Sequence, residues 1–559
     1  MILASHQDGD DYKTAKESFV AGMTGSTVFH INMISLVALH TFALPPPKSF
    51  QFLSEWLFLV VPLLLSMTLF ADNPGTLSAV FFILTALICF YFPPHESGTP
   101  LPSGGSVSPS ASPTVLRRIP SSSFHRDERD PQSAAPALEP NTIRLPALST
   151  YRAHLMLMTV LAILAVDFPV FPRALAKCET YGVSLMDMGV GSFVFSQGIV
   201  YAIPLLKIPA YLWPPITLEM VFVLSECIPI LVLGLVRAFL VKGTQYPEHI
   251  TEYGVHWNFF LTLALTPVLR TYLQPLFSRM SISLLGLLVA LGHQLLLSAG
   301  FASYVLNAPR ETFISANKEG IVSLTGYLAI HLLGLSIGTL ILPHSPSYFR
   351  RQQAAARRWH NGDEYAFTNL DTKQALSVHT HRENDRTATE LFSYAVIYWM
   401  LFGISRYLHI GGPDVNLPYI MWVAAYNTTF LLCYLLLDLA FFPTPLAKST
   451  YSPVSGLKVV RKAKDGRAKS TSTPPPSTPM TTTTTTHGPS PMPAPPLLEA
   501  INKNALAVFL LANVATGVVN LSMRTMYTPD GRAMGVLGVY AFGLCAFAWA
   551  VRDRRVWKL

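Results

Sequence analysis

An aspartate, a lysine and two prolines stand close together where an apolar stretch of the sequence ends. Asp167 follows the run LAILAV, Pro169 and Pro172 come two and five residues later, and Lys177 lies on the same connection. Because proline cannot continue an α-helix, the helix must end at the carboxylate and the chain must turn. A partly dry carboxylate can act as a general base, and a nearby ammonium can orient it or stabilise an oxyanion. The spacing alone favours a structural ion pair that stabilises a tight turn over a catalytic pair.

A second group of polar side chains, HITEYGVHWNFF (249–260), stands at the entrance to another apolar run. Its His256, Trp257 and Asn258 are candidate substrate-binding residues. The His-x-x-Glu spacing in this segment is weak evidence for a metal, and neither this segment nor the cysteine spacing predicts a metal site. Tryptophan beside other aromatic residues is also typical of a membrane-interface belt, so both interpretations stay open.

A third polar segment, APRETFISANKEG (308–320), precedes a long apolar run. Arg310 and Lys318 are candidates for holding a phosphate, because guanidinium and ammonium groups match phosphate oxygens. Asn317 is a candidate for the same head-group site. An asparagine in front of a helix can also be an ordinary N-cap, so the segment fits a binding site and a helix start equally well.

Four further polar residues lie inside apolar runs. Asn513 and Asn520 are seven residues apart and therefore share one face of a helix, which favours hydrogen bonding between helices over substrate contact. His293 and His331 are single histidines within apolar runs, and each is more typical of a hydrogen-bonded packing residue than of a catalytic base.

The elements that position these residues are predicted to be transmembrane helices. The chain has 559 residues, of which 50% are hydrophobic and only 13% charged, and its apolar residues come in runs long enough to cross a hydrocarbon core of about 30 Å. Most of the net charge of +8 lies between the runs, so nucleic-acid binding is not indicated. We expect an all-α, polytopic integral membrane protein with one multi-span domain (1–559) and about thirteen transmembrane helices. The predicted spans are 27–44, 52–70, 77–92, 152–168, 186–206, 215–241, 257–275, 282–300, 320–342, 391–410, 418–442, 503–523 and 533–551.

The basic residues predict how the spans are oriented. When the connections are assigned alternately to two sides, one side receives most of the lysines and arginines, including the short tail RDRRVWKL. This asymmetry predicts a cytosolic C-terminus and, with an odd number of spans, a lumenal N-terminus. Three long connections fall on the cytosolic side: 93–148 and 443–498 have compositions typical of disorder, and 344–389 is polar and basic.

Six blocks of the sequence resemble the glucosaminyl-phosphatidylinositol inositol acyltransferases of GPI-anchor biosynthesis. The longest is ILAVDFPVFPRALAKCETYGVSLMDMGVGSFVFSQG (163–198), and the others follow the same order along the chain as in that family. They are KESFVAGMTGST (16–27), EYGVHWNFF (252–260), ANKEGIVSLTGY (316–327), NLPYIMWVAAYN (416–427) and NLSM (520–523). The resemblance covers nearly all the spans, and only the three long connections fall outside it.

The resemblance implies an activity that composition and spacing do not. Such enzymes transfer a fatty acyl chain, usually palmitoyl, from acyl-CoA to the inositol 2-hydroxyl of glucosaminyl-phosphatidylinositol. It implies a multi-pass protein of the endoplasmic reticulum membrane with a lumenal active site, in which Asp167 and Lys177 are catalytic. Acyl-CoA would be the co-substrate, the glucosaminyl lipid the acceptor, and no bound cofactor or nucleic acid is expected.

Two other functions remain open from the residues. Charged residues within the apolar runs, such as Glu219, Glu226 and Arg237, would suit a transporter of lipids or small molecules, although no paired repeat is apparent. A non-catalytic scaffold subunit is less compatible with polar residues that cluster in short connections.

Overall fold

The protein is built from α-helices. The computed structural model describes 15–16, 18–19, 22–42, 51–91, 145–178, 182–207, 212, 216–242, 253–363, 383–412, 415–441 and 494–556. Within these ranges there are helices, turns and irregular segments but no strand. The prediction of an all-α protein is therefore confirmed.

Each of the thirteen predicted spans coincides with a helix. The first seven are α1 (Val28–Phe42), α2 (Gln51–Met67), α3 (Pro74–Tyr91), α4 (Pro146–Ala165), α5 (Leu185–Lys207), α6 (Ile216–Lys242) and α7 (Phe259–Leu273). The others are α8 (Ile282–Asn307), α9 (Lys318–Ile341), α11 (Asn384–Tyr407), α12 (Leu417–Phe441), α14 (Ala505–Ser522) and α15 (Asp530–Ala550). Nine helices in the described ranges are long and apolar enough to cross a membrane, α1 to α3 are shorter apolar helices, and the total of thirteen stays a prediction.

Two additional helices lie in segments that the sequence assigned to loops. Helix α10 (Tyr348–His360) stands inside 344–389, and α13 (Pro496–Lys503) begins within the end of 443–498. Helix α10 is amphipathic: Phe349, Ala355 and Ala356 are buried, while most of its arginines point outward. The first three residues of helix α4 (146–148) likewise lie within the predicted 93–148, and the first six of α11 (384–389) lie within 344–389. These loop limits were wrong because short apolar patterns among polar residues carry little hydropathy; the remaining parts of the loops lie outside the described residues.

The centre of the bundle is the pair formed by α9 and α5. In α9, 83% of the apolar stretch is buried, against 22% in both α6 and α14. Gly198 of α5 and Gly334 of α9 allow the two backbones to approach closely, since a Cβ at either position would overlap the opposite helix's carbonyl oxygens at His331 and Phe195. Small residues at such crossings are typical of membrane helices, which gain stability from packing.

We expect Gly198→Ala to destabilise the bundle. In an exposed helix this change stabilises, because alanine has the higher helix propensity. Here the added methyl group must push α5 and α9 apart, so the expected loss is about 1–3 kcal/mol, seen as a lower melting temperature of the detergent-solubilised protein. Gly517→Ala is the matched control, because a Cβ at Gly517 meets no atom within 4 Å. Equal melting temperatures of the two variants would contradict this packing.

Candidate active site

Asp167 lies in a tight turn directly after α4. Its backbone amide donates to the carbonyl of Leu164 at 3.2 Å, and that of Phe168 donates to Ala165 at 3.0 Å, so the helix closes with a short turn before Pro169. The Asp167 side chain is buried, with a residue exposure of only 2%. The helix stop that the two prolines predicted is therefore confirmed, and it leaves the carboxylate inside the protein.

The buried carboxylate of Asp167 is held by residues from the two ends of the chain. The ammonium of Lys16 lies 3.2 Å from Oδ1 of Asp167. The Asn520 side chain, near the end of α14, donates from Nδ2 to Oδ2 of Asp167 at 2.8 Å. Lys16 also donates to Oδ1 of Asn520 at 2.8 Å, so the three side chains form a closed ring of contacts. We call Lys16, Asp167 and Asn520 the carboxylate ring.

Lys177 occupies a different position from the one that its spacing suggested. Its ammonium lies over the ring of Tyr253, 4.2 Å from the ring centre, and interacts electrostatically with Asp187 at the start of α5. In the described part of the chain, the cation paired with Asp167 is Lys16. Lys177 therefore joins the turn after α4 to the segment before α7, and its catalytic role stays a prediction.

Arg173 fixes the shape of the turn that carries Asp167. Its guanidinium donates to the carbonyls of Phe168 and Phe171 at 2.9 and 2.8 Å and stacks on the Phe19 ring at 4.2 Å. Burial lowers the pKa of Arg173 to about 10, and the charge of Asp167 opposes that shift. The guanidinium thus stays protonated at neutral pH and adds positive potential near the carboxylate.

The predicted substrate-binding residues of the two other segments hold those segments together. Asn317 is fully buried, accepts a hydrogen bond from the backbone amide of His256 at 2.8 Å, and donates to the carbonyl of Phe313 at 2.9 Å. The His256 ring stacks on Phe313 with a centroid distance of 6.0 Å. Val255 adds a backbone hydrogen bond to Ala316. Both segments therefore lie at the same end of the bundle.

Arg310 and Lys318, the candidate phosphate ligands, are engaged by the protein itself. Arg310 forms a two-bond ion pair with Glu319 at 2.5 and 3.0 Å. Lys318 is buried and donates to the carbonyl of Ala308 at 2.5 Å. With these partners in place, both residues order the loop before α9, and a phosphate would have to replace protein contacts.

Trp257 and Asn258 lie directly before α7. Asn258 is its N-cap, accepting from the amides of Phe260 and Leu261, while its Nδ2 donates to the carbonyl of Gly234 in α6. The indole of Trp257 donates to Thr262 at 3.0 Å and packs against Gly320. Asn317 stands at the N-cap position of α9, but its side chain makes no capping hydrogen bond there, so the N-cap that the sequence suggested as an alternative for this residue is not formed.

The two single histidines have different surroundings. His293 shares a hydrogen bond with Thr325 at 2.6 Å, as a packing histidine should. Both ring nitrogens of His331 are buried without a hydrogen-bond partner, and its ring meets Tyr201 edge-on. Both residues lie in the packed interior of the bundle, but only His293 has the hydrogen bond that the sequence analysis expected of a packing histidine.

Comparison with known proteins places this arrangement in a family. A family model described as GWT1 matches residues 12–551. The chain belongs to the GWT1 family. Relatives called "GPI-anchored wall transfer protein 1" include those of Cryptococcus neoformans var. grubii, 36% identical over 98% of this chain and 99% of the relative, and of Aspergillus fumigatus, 33% identical over 98% of each. The relative of Candida glabrata is 31% identical over 97% of this chain and 98% of its own length.

Membership in the GWT1 family confirms the resemblance that the sequence blocks predicted. The matched range begins four residues before Lys16 and ends beyond Asn520, so it contains all three residues of the carboxylate ring. Lys16 was missed as a site residue because nothing in its own neighbourhood indicates a partner at 167. The one available signal was its place at the start of the block KESFVAGMTGST.

Arg310→Met and Glu319→Gln should destabilise the protein to a similar extent. Each change leaves one member of a partly buried ion pair without its partner, at a cost of about 1–3 kcal/mol. Thermal melting of the two variants measures this loss, with Arg350→Met as a control in a pair whose arginine side chain is 61% exposed. A normal melting temperature for Arg310→Met together with a raised KM for a phospholipid acceptor would instead show a phosphate contact.

Cys178 should be chemically inert and dispensable. Burial, with the negative charge of Asp187 beside it, raises the pKa of the Cys178 thiol to about 12. At neutral pH its thiolate population is then about a thousandfold below that of an ordinary thiol, so iodoacetamide labelling should be slowed by a similar factor. Cys178→Ser should leave the melting temperature nearly unchanged. Labelling of Cys178 in the folded protein at the rate of an ordinary thiol would contradict this.

Proposed function

We propose that this GWT1-family protein transfers a fatty acyl chain, palmitoyl in the first instance, from acyl-CoA to the inositol 2-hydroxyl of glucosaminyl-phosphatidylinositol. The proposal places the reaction in GPI-anchor biosynthesis, on the lumenal side of the endoplasmic reticulum membrane. The name shared by the relatives supports the pathway. The observation that carries the chemistry is the buried Asp167 carboxylate with a cation 3.2 Å away.

Asp167 is the general base in this proposal. Two of the roughly four lone-pair positions of its carboxylate are occupied by Lys16 and Asn520, so lone pairs remain that can accept from a hydroxyl donor. The carboxylate accepts the proton as the inositol oxygen attacks the thioester carbonyl. The tetrahedral intermediate then collapses with cleavage of the C–S bond, and the proton passes from Asp167 to the departing CoA thiolate. No covalent acyl-enzyme is needed.

We assign Lys177 the role of stabilising the negative charge that develops on the thioester oxygen. Lys16 already accompanies Asp167, so of the two roles open to Lys177 the stabilisation of the thioester oxyanion is the one that remains. Lys177 lies on the same connection as Asp167, ten residues beyond it, and its ammonium lies over the ring of Tyr253. His256, Trp257, Asn258, Arg310, Asn317 and Lys318 shape the neighbouring wall and keep the two segments in register.

The surface of α14 offers a route for lipid. Val514, Val518 and Leu521 on this helix are 65%, 59% and 86% exposed, and Asn520 on the same helix contacts the carboxylate. Apolar side chains exposed in this way face acyl chains in a membrane-spanning helix. We propose that a lipid acceptor approaches Asp167 along this helix, with its tails still solvated by lipid.

A transporter is the second candidate. The buried ion pair of Glu219 in α6 with Arg270 in α7, at 2.9 Å, is the observation that favours it, because intramembrane charges often mark transport pathways. Purified protein in vesicles separates the two functions. Acylated glucosaminyl lipid formed from palmitoyl-CoA supports the enzyme, and movement of the lipid between leaflets without acylation supports the transporter.

Asp167→Asn should reduce acyl transfer by at least about a hundredfold, because the amide keeps the shape of the side chain but cannot accept the proton. The assay measures transfer of labelled palmitoyl from palmitoyl-CoA to glucosaminyl-phosphatidylinositol by purified protein. Asp553→Asn, at the opposite end of the bundle and exposed, is the control. Near-normal transfer by folded Asp167→Asn would overturn the proposed chemistry.

A further inference from the structure

The geometry points to Lys16 and Asn520 as positioning residues that hold the Asp167 carboxylate ionised and in one orientation. This inference rests on the proposed function, because it gives these two residues a role in preparing the base for proton transfer. Neither residue was among those that the sequence marked as catalytic or substrate-binding. They come from opposite ends of the chain, and both contact the same carboxylate.

The contacts allow only one orientation of the Asn520 amide. Its Oδ1 accepts from Lys16 at 2.8 Å and from the hydroxyl of Thr525 at 3.2 Å. Turning the amide over would place its NH2 group against the ammonium of Lys16, two donors facing each other. Nδ2 must therefore point at Asp167, and Asn520 fixes Oδ2 while Lys16 fixes Oδ1.

Lys16 supplies the charge that the buried carboxylate needs. A carboxylate with 2% exposure favours its neutral form unless an opposite charge lies close by. Arg173 is the other cation facing this carboxylate, but its guanidinium is bonded to the carbonyls of Phe168 and Phe171. The Tyr540 hydroxyl, from α15, faces it as well and donates to the carbonyl of Val160. Lys16 is therefore the cation in direct contact.

The ring also explains why these segments must meet. The Lys16 side chain is 8% exposed, and the amide of Ser26 donates to the carbonyl of Val183, which ties this N-terminal segment to the start of α5. Thr525, in the turn between α14 and α15, is buried beside Asn520. Lys16 thus brings its ammonium to Asp167 from an N-terminal segment that is itself bonded to the start of α5.

The test measures kcat/KM for acyl transfer against pH in Lys16→Met, Lys16→Arg, Asn520→Leu and the parent protein. Without the ammonium the ionised carboxylate is harder to maintain, so the acidic limb of the Lys16→Met profile should move to higher pH by about 1–3 units. Activity lost at pH 7 should return in part at pH 9. Lys16→Arg should restore most of the rate, and Asn520→Leu should lower kcat more than it raises KM.

Controls separate this inference from the proposed function. Lys503→Met removes a lysine at the other end of the bundle, where its ammonium contacts the Arg552 carbonyl, and should leave the profile unchanged. If Asp167→Asn is active, the proposed base is wrong. If Asp167→Asn is inactive but Lys16→Met keeps the parent's pH profile, the base stands and the positioning role is overturned.

A purely structural ion pair would behave differently. Lys16→Met and Lys16→Arg would then both lower the melting temperature and lose activity to the same extent at every pH. The double variant Lys16→Met/Asp167→Asn would recover the melting temperature of the parent protein. The pH profile of Lys16→Met would have the same shape as that of the parent. That combination of results would contradict the inference.

Discussion

The structure depends on a single buried carboxylate that must keep its charge. Asp167 is almost completely covered, and an uncompensated carboxylate in such a place would cost several kcal/mol. Compensation comes from Lys16 and Asn520, which lie near the two ends of the chain. The N-terminal segment, the turn after α4 and the end of α14 therefore meet at one end of the bundle.

The same end of the bundle contains a second, rigid group of polar contacts. Asn317 joins the loop before α9 to the segment before α7, and Asn258 ties that segment to α6. Lys177 over Tyr253 links this group to the turn that carries Asp167. The residues that the sequence marked for substrate binding thus have defined structural partners. Their contacts order the two segments that Lys177 connects to the turn carrying Asp167.

The spans and the helix stop at Asp167 were predictable, since both arise from local sequence. Runs of apolar residues determine which segments form membrane-spanning helices, and Pro169 and Pro172 determine where α4 must end. Helix α10 was missed because its few apolar residues are separated by arginines and glutamines, which keep the hydropathy of the segment low. Lys16 could not be assigned to Asp167, because the contact joins positions 151 residues apart, and no local pattern encodes such a distance. Spacing predicted that Asn520 would bond to another helix, without indicating which one; its partner Asp167 lies in the turn after α4.

Placement of charge explains why Lys16 and Lys177 are not interchangeable. Both are ammonium groups near the same turn, yet Lys16 contacts the carboxylate and Lys177 lies over an aromatic ring near Asp187. In the proposed reaction, the ammonium in contact with the carboxylate stabilises its charge. The second one, over a ring face, is assigned to the negative charge that develops on the thioester oxygen.

The most direct test is an experimental structure of the protein with a non-hydrolysable thioether analogue of palmitoyl-CoA and glucosaminyl-phosphatidylinositol. The account predicts the inositol 2-hydroxyl within hydrogen-bond distance of the Asp167 carboxylate, with Lys16 and Asn520 still bound to that carboxylate and the Lys177 ammonium facing the position of the thioester oxygen. An acceptor bound elsewhere, with Asp167 enclosed by protein on every side, would contradict it.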